Sequence, residues 1–97
     1  MILPPGIRSC LWSWDPSSLQ LRRDRRLIIT QVFNYGRWED VRWVLKRYAL
    51  SDLRQVLREP GRGQWLPDVL NFWTHRLNIR LTKSRIHAAR FSIRPAA

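Results

Sequence analysis

The run Trp38-Glu39-Asp40-Val41-Arg42-Trp43-Val44-Leu45-Lys46-Arg47-Tyr48 decides the fold class. Trp38, Val41, Leu45 and Tyr48 recur at steps of three, four and three, the spacing that stacks side chains on one face of an α-helix. Glu39 and Asp40 stand at its start and Lys46 and Arg47 at its end, each matching the sign of the helix dipole there. Upstream, Leu27, Ile28, Val32 and Tyr35, flanked by Ile29 and Phe33, repeat at similar steps over residues 22–35. Gly36 is expected to stop that helix in a left-handed cap. Downstream, Ser51 is read as the N-cap of a third helix that turns Leu53, Val56 and Leu57 inward and ends at Pro60-Gly61. Pro67 suits the first turn of a fourth helix, whose Leu66, Leu70, Trp73 and Leu77 step by four, three and four. The fold class is therefore all-α, a small bundle of about four helices.

Around this helical region, 22–79, the composition changes. Residues 1–21 hold Pro4, Pro5, Gly6, Asp15-Pro16 and several serines, which is turn chemistry, and read as an N-terminal arm. Leu11, Trp12 and Trp14 are too apolar for a solvated tail and are expected to dock. After Asp68 no acidic residue follows, while Arg76, Arg80, Lys83, Arg85, Arg90 and Arg94 accumulate, so residues 80–97 read as a basic C-terminal tail. A short helix within it, from Thr82 onward, has few apolar residues to anchor it.

The 97 residues hold 18 Lys or Arg against 7 Asp or Glu, a formal charge of +11. Such an excess directs attention to polyanionic partners. A hydrophobic share of 44%, with six Trp, excludes a disordered chain. No run of about twenty apolar residues occurs, which argues against a membrane span, and the single cysteine, Cys10, suits a reducing compartment. A cytoplasmic protein is expected.

Catalysis finds no constellation. His75 and His87 have no further ligand at metal spacing, so neither a metal nor a cofactor is expected. Glu39 and Asp40 are helix neighbours that point about 100° apart and do not form an acid/base pair. Gly61-Arg62-Gly63 lacks the strand, helix and Lys-Ser/Thr of a phosphate loop and reads as a turn. The protein is read as a binding protein, not an enzyme.

Binding chemistry is better represented. Sixteen of the eighteen basic residues are Arg, whose planar fork matches phosphate and guanine edges, although a GC-rich genome yields the same bias. The third and fourth helices are read as a loose helix-turn-helix, loose because residues 59–66 exceed the usual turn of about three or four. Its fourth helix would offer Asn71, Thr74, His75 and Asn78 to base edges. Arg76, Arg80, Lys83, Arg85 and Arg90 would stand near phosphates. Trp38 and Trp73 lie on apolar stripes and are expected in the core. Trp12, Trp14 and Trp65 fall in loops and are expected as anchors for a protein partner. Arg22, Arg23, Arg25 and Arg26 crowd the start of a helix against its dipole, so Asp24 or a partner is needed to offset them.

Several of these stretches together resemble a known family. They are Trp14-Asp15-Pro16-Ser17-Ser18-Leu19, Arg26-Leu27-Ile28-Ile29 with Tyr35-Gly36, the residues from Trp38 to Leu45, Leu53-Arg54-Gln55-Val56-Leu57 and Asn71-Phe72-Trp73. The pattern is similar to that of short uncharacterised bacterial helical proteins often encoded beside a nucleotidyltransferase-like toxin of the abortive-infection type. It spans residues 14–79. The resemblance implies an antitoxin-like regulatory protein that neutralises such a toxin, binds DNA, or does both. A sequence-independent nucleic-acid-binding protein with no toxin partner is the alternative. Leu66 before Pro67 departs from the pattern, which has a small polar cap there, and the Arg-rich end lies outside it. No catalytic residue is implied.

Overall fold

A computed structural model describes residues 4–11, 14 and 18–90. They form six helices: α1 Pro5–Cys10, α2 Arg25–Tyr35, α3 Trp38–Arg47, α4 Leu50–Arg58, α5 Pro67–Arg76 and α6 Lys83–Ala89. Among the described residues there is no strand, only an isolated parallel bridge between Trp65 and Arg90. The all-α class holds, with six helices in place of about four. None of the described helices is long and apolar enough to cross a membrane. The chain divides into two units, Met1–Leu53 and Arg54–Ala97. These limits do not coincide with the expected arm, helical domain and tail.

In the first unit the expected arm carries a helix. Pro5 sits in the first turn, where its missing N–H costs nothing, and Ser9 Oγ donates to the Pro5 carbonyl at 3.0 Å. Helix α1 packs on α2, and Ile7 within it and Leu11 just after it are fully buried; Leu11 docks as expected. The buried face of α2 is Ile28, Ile29, Thr30, Val32 and Phe33, while Tyr35 is exposed. Gly36 is not left-handed but extended, with φ −76° and ψ 156°. Its small size is needed instead, because an added Cβ would lie 2.7 Å from the Val32 carbonyl oxygen and 3.0 Å from Asp40 Cβ.

Asp40 caps α3, its carboxylate accepting the Arg37 N–H at 2.9 Å. Val41, Val44 and Tyr48 are buried. Trp38 is 62% exposed, which corrects its expected place in the core: as the first residue of α3 it stands about a turn before Val41, where the buried residues of that helix begin. Helix α4 begins before the expected cap. Ser51 is inside it, and the Ala49 N–H donates to the Asp52 carboxylate at 3.2 Å. Leu53, Val56 and Leu57 are buried as the pattern required.

The second unit is organised around Trp65, which is fully buried. Its backbone N–H donates to the Ala89 carbonyl at 2.9 Å, and the Gly63 N–H to the Ala88 carbonyl at 2.8 Å. These bonds fasten the end of α6 to the 59–66 connection. Thr82 caps α6 by accepting the Arg85 N–H at 3.2 Å, and Ala89 is its one buried residue. Much of the expected tail is therefore a docked helix, held by backbone pairing more than by apolar side chains. Pro67 opens α5 with no side-chain cap at Leu66, and Leu70 and Trp73 face inward. Asn78, at φ 56°, turns the chain out of α5 so that Ile79 is buried.

Candidate nucleic-acid interface

Charge is distributed unevenly along the chain. Residues 54–97 contain nine Lys or Arg against two Asp or Glu, a net +7. Residues 1–53 contain nine against five, a net +4. In the first unit the crowded arginines find partners: Arg22 meets Asp52 at 2.8 Å, Arg25 approaches it at 4.0 Å, and Arg23 meets Asp24 at 2.9 Å. Asp24 and Asp52 thus offset the charge at the start of α2. In the second unit Arg54, Arg58, Arg62, Arg76, Arg80, Lys83, Arg85 and Arg90 make no ion pair among the described residues.

Most of the expected nucleic-acid residues line three hollows. Asn78, Arg80 and Arg85 line a cleft of about 660 Å³ together with Arg54, Arg58, Glu59, Ile79 and Leu81. Arg54 and Arg58 were absent from the sequence-based set. Their four-residue spacing on α4 puts them on one side, a signal available in the sequence, but their meeting with Arg80 and Arg85 is a long-range event. Arg85 Nη1 donates to the Arg58 carbonyl at 3.3 Å, which positions its guanidinium over the end of α4.

Asn71, Thr74 and Arg90 line a second hollow of about 270 Å³ with Ile86. Thr74 Oγ1 lies 2.8 Å from the Leu70 carbonyl and 3.1 Å from that of Asn71, so its proton is committed to its own helix. Asn71, His75 and Arg76 border a third hollow, of about 550 Å³, with Asp68 and Phe72. Phe72 is exposed and meets Trp73 edge to face, with centroids 5.1 Å apart. Lys83 stands exposed at the start of α6.

The expected protein anchors separate in the same way. Trp65 is fully buried, which corrects its reading as an exposed anchor: the glycine-rich loop before it is covered by α6. Trp14 is exposed, and Trp12 lies outside the described residues. Trp38, expected in the core, and Leu50, which no sequence pattern singled out, are both exposed large apolar groups. The Cys10 thiol is pushed up first by burial and then by the Asp40 charge, which disfavours the thiolate. Among the described residues no three His, Cys, Asp or Glu gather where they could hold a metal ion.

Fold and charge define a small all-α protein with one strongly basic unit. The chain belongs to the family of unknown function DUF6922, whose family model matches residues 7–57. That match includes the end of α1 from Ile7, all of α2 and α3 and nearly all of α4, starting earlier than the resemblance at residue 14 and leaving Asn71-Phe72-Trp73 outside. No curated protein and no solved structure matches the chain.

Proposed function

We propose that this protein is a small antitoxin-like regulatory binding protein, not an enzyme, whose second unit binds nucleic acid. The observation that carries the reading is the set of eight described cations in residues 54–90 that make no ion pair among the described residues. Exposed charges of one sign repel one another, and a polyanion relieves that repulsion while releasing its own counterions. Asn71 and His75, both exposed on α5, supply groups suited to base edges.

Exposed Trp14 and Trp38 support a protein partner for the first unit, since large aromatics are favoured anchors at interfaces. A nucleotidyltransferase-like toxin is the partner that the resemblance implies.

The test is fluorescence anisotropy with the DNA upstream of the protein's own gene and with an unrelated duplex, at two salt concentrations. Selective, salt-sensitive binding supports a regulator. Equal binding to both duplexes supports the sequence-independent alternative. No binding to either at low salt removes the nucleic-acid reading.

A further inference from the structure

We propose that the cleft formed by Arg54, Arg58, Arg80 and Arg85 is a specific seat for the phosphodiester backbone of a nucleic acid. This rests on the reading of the second unit as a nucleic-acid binder and adds where the backbone sits. Four arginines and one acidic residue, Glu59, line the same space of about 660 Å³. Gathering four like charges is unfavourable unless an anion lies between them, and none of the four is in an ion pair among the described residues.

Local structure explains two of them. The C-terminal end of α4 carries partial negative charge, which favours Arg58 in its last turn and Arg85 at the Arg58 carbonyl. It does not account for Arg54, one turn earlier, or for Arg80, which reaches the cleft from the segment after α5. The buried Ile79 forms part of the wall. Arginine suits this role better than lysine, because its fork donates two parallel hydrogen bonds to a phosphate. The cleft's volume of about 660 Å³ leaves room for a sugar-phosphate unit beside the arginines.

The experiment compares two double variants of the full chain that remove equal charge. Arg54→Gln/Arg58→Gln empties one side of the cleft; Arg8→Gln/Arg42→Gln removes two exposed arginines of the first unit. Binding of a short labelled duplex is followed over a salt series, with circular dichroism to check folding. The cleft variant is expected to bind about tenfold more weakly, with a salt slope shallower by about two, and the control about threefold or less. Equal loss in both variants would overturn the cleft while leaving nucleic-acid binding in place. Failure of the unaltered protein to bind at low salt would remove both.

If the double variant does not fold, Arg80→Gln takes its place, and unchanged affinity there overturns the proposal. Vesicles containing phosphatidylglycerol form the last arm. Binding to them without binding to the duplex would reassign the cleft to a lipid headgroup.

Discussion

The Asp52 carboxylate receives both ends of the Arg22 guanidinium, at 2.8 and 3.3 Å, across thirty residues of chain. The same carboxylate accepts the Ala49 N–H at the start of α4, so one side chain caps a helix and ties it to the segment before α2. Asp52→Ala is expected to destabilise the protein by about 1–2 kcal/mol, from the lost cap and the charged hydrogen bond. Arg22→Ala should cost less, because that side chain is 70% exposed and water replaces its partner. The Arg22 hydrogen bond, aided by the Ala49 N–H, holds the Asp52 carboxyl below its usual range. Its stabilising effect is therefore complete above the unfolded value of about 3.9 and is lost as pH falls through the lower folded value. Urea unfolding of Asp52→Ala and the unaltered protein should differ at neutral pH and converge in strong acid.

Tyr48 supplies a second, opposite pH dependence. Its hydroxyl donates to the Leu21 carbonyl at 2.9 Å, and burial pushes its pKa up to about 12. The folded value lies above the unfolded value of about 10, so the contribution is present below pH 10 and lost as pH rises toward 12. Tyr48→Phe should cost about 1 kcal/mol at neutral pH. Ultraviolet titration should show a late tyrosinate component that the variant lacks.

Two glycines are needed for different reasons, and alanine at each separates them. At Gly36 an added methyl collides with the Val32 carbonyl, a backbone atom that cannot swing aside, and Gly36→Ala should cost about 1–3 kcal/mol. At Gly63 the space is open, but φ is +66°, so Gly63→Ala costs about 1 kcal/mol from backbone strain alone. Asparagine, which tolerates that conformation, should restore part of the loss at position 63 and none at position 36 in thermal melts.

What could be read from the sequence follows from the range of the interactions. Helices α3 and α5 were legible because periodicity, end charges and a first-turn proline are local. Helix α1 was read as an arm because Pro4, Pro5 and Gly6 resemble breakers, yet Pro5 occupies the one helical position that tolerates it. Trp65 was read as exposed because its sequence neighbours are loop residues, while its cover comes from residues 88–89. Three of the eight residues that line the candidate cleft, Asn78, Arg80 and Arg85, were found from charge and from the expected exposed side of the fourth helix. Arg54 and Arg58 join it only through the fold.

The tryptophans now divide into a stability test and a partner test. Trp65→Ala removes a fully buried indole and should cost about 3–5 kcal/mol, enough to unfold a small unit, so loss of a partner in that variant says nothing about contact. Trp38→Ala, at an exposed position, should change stability by less than about 0.5 kcal/mol. Co-purification with the proposed toxin partner, unchanged in a folded Trp14→Ala/Trp38→Ala protein, would rule out these aromatics as anchors.

Base reading and backbone holding predict different mutant signatures in the second unit. Asn71 and His75 are exposed on α5 and carry amide and imidazole groups, whereas exposed Arg76 and Arg80 carry charge. Asn71→Ala and His75→Ala are each expected to narrow the preference for the upstream DNA, by about 1–3 kcal/mol where a base contact is lost, with little change in salt dependence. Arg76→Ala and Arg80→Ala should weaken binding to both duplexes alike, and each should lower the salt slope by about one. Thr74→Val should leave the preference intact, because its hydroxyl proton is already given to its own helix. Anisotropy of each variant on both duplexes over a salt series reads all five substitutions. A uniform loss of affinity from Asn71→Ala and His75→Ala would assign α5 to the backbone and leave sequence preference without a reader on this helix.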